Sequence, residues 1–256
     1  MLASARVQPR GRIVALVLGA IAGISVVGAV AVVVPAAPAP KLAMLVVARS
    51  DGLHLLRPGI RDRKVARTRG ARAPVWAPNG RELAFERSGN VYIANRDGSG
   101  QRLLLAGREP DWSPDGRFVV ATRNGAIVVA RRNGAGVRNV TAGPGDAEPA
   151  WSPNGTQIAF SRSGTIMVAR ASGAEATAIA PGTQPVWSPD STRLAFASPG
   201  GIASVTLADR AVQLHTLDPA DRAPTFSLDG SELLFAATAE SLYSPVSYTH
   251  LTLPTN

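Results

Sequence analysis

The sequence predicts an all-β fold, a β-propeller of about six four-stranded blades with the last one truncated, preceded by one N-terminal transmembrane helix. Three observations carry this reading. A turn motif centred on an aromatic residue recurs five times along the chain. Short apolar runs separated by Gly, Asn and Asp turns fill each interval between copies. One long uncharged segment, Ile13 to Val34, stands apart from the rest.

The segment of 22 residues from Ile13 to Val34 carries no charge, and only Ser25 in it is conventionally polar. A bilayer needs about 20 apolar residues in a helix. Arg6, Arg10 and Arg12 precede it and no acid does. That asymmetry puts residues 1–12 in the cytoplasm as a basic tail and everything after residue 34 outside. A cleaved signal peptide is the rival reading, because Ala29-Val30-Ala31 has the small-x-small form of a cleavage site. Either way the remainder is exported, with a secreted or periplasmic domain as the alternative to an anchored one. Residues 35–42 are a stiff Pro/Ala linker. The chain has no cysteine, so the exported domain rests on its core without disulfides.

Residues 43–245 are expected to form the propeller. Met44 to Ala48 and Leu53 to Leu56 read as strands of a degenerate first blade. The motif then begins. It reads Pro-Val-Trp-Ala-Pro-Asn-Gly at Pro74 to Gly80, Pro-Asp-Trp-Ser-Pro-Asp-Gly at Pro110 to Gly116 and Pro-Ala-Trp-Ser-Pro-Asn-Gly at Pro149 to Gly155. Pro-Val-Trp-Ser-Pro-Asp-Ser follows at Pro185 to Ser191, and Pro-Thr-Phe-Ser-Leu-Asp-Gly at Pro224 to Gly230. The aromatics Trp76, Trp112, Trp151, Trp187 and Phe226 are 36, 39, 36 and 39 residues apart, and they include all four tryptophans of the chain. A fixed period of this size marks a repeat architecture.

Within each period an apolar run follows the turn, as in Leu83-Ala84-Phe85, Ile158-Ala159-Phe160 and Leu194-Ala195-Phe196. A second follows a Gly- or Ser-containing turn, as in Val91-Tyr92-Ile93-Ala94 and Ile127-Val128-Val129-Ala130. A third short run comes after turns such as Asp97-Gly98-Ser99-Gly100, and the approach to the next aromatic makes a fourth strand. Four short strands per period is a propeller blade. No sustained helical period occurs outside the anchor, and 25 glycines with 20 prolines oppose one. A β-solenoid or a sandwich is the alternative; the solenoid needs a shorter unit, and the sandwich would not repeat a tryptophan turn.

The motif residues have structural reasons. Pro78, Pro114, Pro153 and Pro189 fix φ at the first corner of a tight turn. Asp115, Asp190 and Asp229, with Asn79 and Asn154, can bond the local backbone, and Gly80, Gly116, Gly155 and Gly230 accept positive φ. Ser191 stands where the others have glycine, which predicts a strained or differently shaped turn. The aromatics supply a large apolar plug where blades meet. A functional reading of the Asp/Asn series, with these residues lining one face toward a metal or partner, is weaker, because a Ca²⁺ site needs oxygens converging on one point.

The Pro-x-Trp-Ser-Pro-Asp-Gly turn, the Ile-Ala-Phe run and the Asp-Gly-Ser-Gly turn resemble the WD-like propeller repeats of the TolB C-terminal domain. The resemblance covers roughly residues 43–245. It implies a wheel of six blades that binds proteins at one face or in its central channel. The N-terminal α/β domain of TolB has no counterpart before Ala43, so a role in the Tol system is not implied. Similar blades gate prolyl-oligopeptidase-type peptidases, but that chemistry requires a Gly-x-Ser-x-Gly elbow, which the sequence lacks.

No catalytic, cofactor or metal residue is expected. His54, His215 and His250 have no His or Cys partner at ligand spacing. His215 sits in an alternating run and reads as an edge or surface residue. The formal net charge of +9 includes a basic stretch, Arg57, Arg61, Arg63, Lys64, Arg67, Arg69 and Arg72. It reads as a solvated surface, or as attraction to anionic lipid headgroups or wall polymers. Nucleic acid is not an expected partner, for no helix-turn-helix, zinc spacing or aromatic-basic interleaving accompanies the charge. Val246-Ser-Tyr-Thr-His-Leu-Thr-Leu-Pro-Thr255 does not continue the repeat and resembles a translated transposase-type sequencing adapter. Residues 246–256 are therefore expected to be adapter-derived, and the propeller incomplete at its C-terminal end.

The expected function is that of a membrane-anchored extracytoplasmic propeller acting as a non-catalytic scaffold for protein partners in the cell envelope. The alternatives are the propeller of an exported serine peptidase with its catalytic domain missing, or a propeller binding glycans or small ligands.

Overall fold

The computed structural model describes residues 45–57, 60–173, 175–227 and 229–237, all of them in strands, turns and loops. Blade 1 holds β1 (Leu45–Arg49), β2 (Gly52–Arg57) and β3 (Ile60–Lys64). Blade 2 holds β4 (Arg72–Trp76), β5 (Glu82–Arg87), β6 (Asn90–Asn95) and β7 (Arg102–Ala106). Blade 3 holds β8 (Arg108–Trp112), β9 (Phe118–Arg123), β10 (Ala126–Arg131) and β11 (Arg138–Asn139). Blade 4 holds β12 (Asp146–Trp151), β13 (Gln157–Arg162), β14 (Thr165–Arg170) and β15 (Thr177–Pro181). Blade 5 holds β16 (Thr183–Trp187), β17 (Arg193–Ser198), β18 (Gly201–Thr206) and β19 (Val212–Leu214). A last hairpin holds β20 (Arg222–Phe226) and β21 (Leu233–Ala236). Every sheet is an antiparallel meander of sequence neighbours.

The strand that leads into each aromatic is the first strand of a new blade rather than the last of the old one. These first strands pack on one another in succession, β4 on β8, β8 on β12, β12 on β16 and β16 on β20, and so form the inner wall. Blade 1 lacks this inner strand among the described residues. The pairing of Arg49 with Gly52 matches that of Arg87 with Asn90, which makes β1, β2 and β3 the equivalents of β5, β6 and β7.

The expectation of about six blades is corrected to five. Five sheets have three or four strands, whereas the fifth motif copy contributes only a two-stranded hairpin among the described residues. The expected span at residues 13–34 and the adapter-like residues 246–256 lie outside the described residues. Among the described residues no helix is long and apolar enough to cross a membrane.

The core is divided among the blade interfaces. Trp76 joins Leu53, Leu55, Leu83 and Phe85 between blades 1 and 2. Trp112 joins Val91, Ile93 and Leu105 of blade 2 with Val119 and Val128 of blade 3. Trp187 joins Ile166 and Val168 of blade 4 with Leu194 and Phe196 of blade 5. Blades are twisted sheets stacked face to face, so each buries one set of alternating side chains against each neighbour. Burial of these surfaces at about 25 cal/mol per Å² is the main force holding adjacent blades together.

Candidate functional site

The motif turns lie at one end of the blades, between the inner strand and the next. In each, the carboxylate or amide oxygen two residues before the exit accepts a backbone N–H: Asn79 from Arg81 at 2.8 Å, Asp115 from Arg117 at 3.0 Å, Asn154 from Thr156 at 3.0 Å, Asp190 from Thr192 at 3.0 Å and Asp229 from Ser231 at 3.0 Å. Ser113, Ser188 and Ser227 add hydroxyl donors to Asp115, Asp190 and Asp229. Those hydroxyl bonds, with the backbone N–H, hold Asp190 and Asp229 down at about 2 and lower Asp115 as well. The oxygens are thus turned onto their own turns. The structure does not bring them together at one point, and among the described residues no group of three His, Cys, Asp or Glu side chains is arranged to hold a metal.

Gly80, Gly116, Gly155 and Gly230 have φ of 64°, 68°, 77° and 71°. Ser191 has φ 61°, so its turn keeps the common shape in the left-handed region rather than adopting another. Its hydroxyl accepts the N–H of Asn154 on the preceding blade at 3.1 Å. At the glycine positions the same contact is with proline: a Cβ on Gly155 would stand 3.3 Å from Pro114 Cγ, and one on Gly230 3.1 Å from Pro189 Cδ. Pro78 faces Gly116 in the same manner. Pro153 is exposed. Trp76, Trp112 and Trp187 are each 5% exposed, whereas Trp151 and Phe226 are only partly buried.

The inner wall holds a second set of residues, which the motif reading passed over. Three positions before each aromatic the chain bulges into positive φ, at Ala73, Glu109, Glu148, Gln184 and Ala223, with φ from 43° to 56°. Each bulge interrupts the pairing with the second strand, between Ala147 and Ala150 in blade 4 for example. The following proline has no N–H and so leaves no donor to satisfy there.

The side chains of Glu109, Glu148 and Gln184 reach the next blade. Glu109 Oε2 accepts the N–H of Glu148 at 2.8 Å, and also the hydroxyl of Thr122. Glu148 Oε2 accepts the N–H of Gln184 at 2.7 Å, and also the hydroxyl of Ser161. Gln184 Oε1 accepts the N–H of Ala223 at 2.8 Å. Asp111 adds a parallel link, accepting the N–H of Trp151 at 2.7 Å and that of Trp112 at 2.9 Å. Inner strands are sheet edges whose donors have no partner within the blade, and a buried N–H left unmade costs about 1–3 kcal/mol. Burial pushes the Asp111 carboxyl up to about 6, against the pull of its two backbone donors.

Two clefts open on the turn face. One, about 540 Å³, lies between blades 1 and 2 and is lined by Arg63, Arg81 and Arg96 together with Asn95, Asp97 and Ser99. The other, about 580 Å³, lies between blades 2 and 3 and is lined by Arg102, Arg117, Arg131 and Arg132 with Asp115 and Asn133. Arg132 also pairs with Glu82 at 2.6 Å, and Arg102 donates to the carbonyl of Arg132.

His54 is buried in blade 1 between carboxylates, with Nδ1 and Nε2 each 2.8 Å from Asp62 and Asp51. Lys64, first, and His54 hold Asp51 at about 2. His215, read as an edge or surface residue, directly follows the edge strand β19 but is not at the surface. It is 7% exposed and lies 2.8 Å from the hydroxyl of Ser204, itself buried. Burial, and then the charge of Arg193, lower its pKa. His250 lies outside the described residues.

No family model matches the chain, and no curated protein matches it. Solved structures do. TolB from Acinetobacter baumannii superposes with a TM-score of 0.56 at 18% identity, over 67% of this chain and 50% of that one. A structure assigned as TolB from Agrobacterium tumefaciens gives 0.61 at 21% identity, over 68% of this chain and 73% of that one. A crystal structure of a nidogen/laminin complex gives 0.57 at 10% identity, over 68% of this chain and 74% of that one. The likeness is one of fold, and this chain spans half the length of the Acinetobacter structure.

Proposed function

We infer that any function proceeds from the fold, a TolB-like β-propeller. We propose that it serves as a non-catalytic scaffold for protein partners, held at the membrane by residues 13–34 with the propeller on the extracytoplasmic side. The observation that carries the reading is how the repeat residues are used. The motif aromatics pack between blades, and the motif carboxylates and amides cap their own turns. What this leaves toward solvent is a rigid face of short turns, repeated blade by blade. Large rigid faces of this kind suit protein recognition, because little ordering is required on binding. The nidogen/laminin structure, whose fold is similar, is a complex of proteins. The uncharged run from Ile13 to Val34, with Arg6, Arg10 and Arg12 before it, supports the anchor and its orientation.

Two measurements test this. A periplasmic-active reporter joined after residue 237 is expected to be active; activity only from a cytoplasmic reporter would overturn the orientation. Crosslinking from envelope extracts is expected to capture a protein that is lost when the turns of blades 4 and 5 are replaced by Gly-Ser turns. Capture that survives replacement of the turns on every blade would remove the turn face as the docking surface.

A further inference from the structure

We propose that the two arginine clefts on blades 1 to 3 form a binding site for a linear polymer of phosphates. The repeats supply their own control. The residue after each motif turn is Arg81 and Arg117 in blades 2 and 3, but Thr156 and Thr192 in blades 4 and 5. The turn between the third and fourth strands begins with Asn95-Arg96 and Arg131-Arg132 in blades 2 and 3, with Arg170-Ala171 in blade 4 and with Thr206-Leu207 in blade 5. The fourth-strand position that pairs with Leu55, Ile93, Val129, Val168 and Ser204 is Arg63, Arg102, Arg138, Thr177 and Gln213 in turn. The same backbone is therefore built with threonine, leucine or glutamine at these places. Blade geometry does not demand the arginines; the set is fullest at the two successive interfaces of blades 1 to 3, reduced to Arg138 and Arg170 at the next, and replaced by threonine, leucine and glutamine in blade 5.

The chemistry of the clefts selects the occupant. Seven arginines line them; Arg132 is already paired with Glu82, and the lining acids Asp97 and Asp115 are both turned onto their own turns. The cationic side chains are all guanidinium, as are all but two of the 27 Lys and Arg residues of the chain. A guanidinium presents a planar fork that matches two oxygens of a phosphate, which an ammonium does not. Two equivalent clefts on successive blades suit a ligand whose charged groups recur along a chain, since the second contact is then intramolecular.

Membrane lipid fits less well. The arginines line concave clefts, and the exposed large apolar residues, Leu103, Val137, Val212, Leu214 and Leu217, line neither. Nucleic acid fits less well too. The single aromatic in the clefts, Phe118, is already stacked on Trp151 at 6.3 Å and covered by the Arg117 guanidinium at 6.0 Å, so no ring is open to a base.

The test uses the full chain in a neutral detergent, with inorganic polyphosphate as the probe. The protein is expected to bind polyphosphate at physiological salt, with affinity falling steeply as salt rises, and to bind orthophosphate far more weakly. Arg81→Thr combined with Arg117→Thr and Arg131→Thr installs the residues that blade 5 already uses. Affinity is expected to fall by at least about tenfold, equivalent to one good charge-assisted contact. Arg81→Lys with Arg117→Lys keeps the charge and removes the fork, and a loss of several-fold is expected. Arg123→Thr, outside both clefts, is expected to leave affinity unchanged. Undiminished binding by the threonine variant, or tighter binding to phosphatidylglycerol micelles or to an RNA homopolymer than to polyphosphate, would overturn the proposal.

Discussion

The side chain of Glu148 on blade 4 caps the backbone of Gln184 on blade 5, its Oε2 accepting the N–H at 2.7 Å. Gln184 repeats the contact one blade further on, as Glu109 does one blade earlier. The inner wall is thus linked by side chains that satisfy the edge donors of the following blade. Ala73 breaks the series at the start, since it has no acceptor to offer Glu109.

Glu148→Ala removes the acceptor from Gln184 N and from Ser161 Oγ. A loss of about 1–3 kcal/mol is expected in denaturant unfolding. Glu148→Gln keeps an amide oxygen, as blade 5 does naturally at Gln184, and is expected to recover most of that. Equal losses for both would mean that the charge rather than the cap matters.

The aromatics are expected to differ in importance. Trp112, 5% exposed within the interface of blades 2 and 3, should cost about 3–5 kcal/mol as Trp112→Ala. Trp151 is only partly buried, so Trp151→Ala should cost distinctly less. Trp187→Phe should cost about 1 kcal/mol through loss of the bond from Nε1 to the carbonyl of Ala150 across the blade interface. Trp112→Phe removes no such bond among the described residues, because Trp112 Nε1 has no acceptor there. Matched unfolding midpoints would check the order.

Asp111 predicts an unusual pH dependence. Its folded pKa of about 6 exceeds the unfolded value of 3.8, so the folded state binds the proton more tightly between them. Stability from this group is fully present below pH 3.8 and is lost as pH rises through about 6. Asp190 and Asp229, held at about 2, act in the opposite sense, adding stability above pH 3.8 that is lost as pH falls toward 2. In Asp111→Asn, melting temperature is expected to lose its decline between pH 4 and 6 while keeping the acid limb. A retained decline would assign it to another group.

Gly155→Ala places a Cβ 3.3 Å from Pro114 Cγ at φ 77°. A cost of about 1–2 kcal/mol is expected, from strain in the left-handed region and the shift of the proline. Ser191→Gly relieves the same strain but loses the bond from Asn154, so its net change is expected to be below about 1 kcal/mol. Thermal melts of the two variants separate these effects.

The recurrence of Trp76, Trp112, Trp151, Trp187 and Phe226 was enough to read four-stranded blades and the turn chemistry of Asp115 and Asp190 from the sequence, but not that the strand leading into each aromatic opens a blade. Each depends on neighbours within a few residues, where spacing carries the geometry. The number of blades was not legible in the same way, because blade 1 has no motif aromatic and the last hairpin carries one without four strands among the described residues. The buried state of His215 was hidden as well, since its alternating run does not reveal what lies across it. The position three before each aromatic could have been picked out by aligning the copies, as Ala, Glu, Glu, Gln, Ala. Its meaning could not, because the partner of Glu109 is 39 residues away on another sheet. The arginines of the turn face were visible one at a time; only the stacking of blade on blade set Arg102 beside Arg117 and Arg131 in one cleft. Local spacing determines which strands form. Which polar side chains meet is decided by the rotation from one blade to the next, a property of interface packing that no single repeat contains.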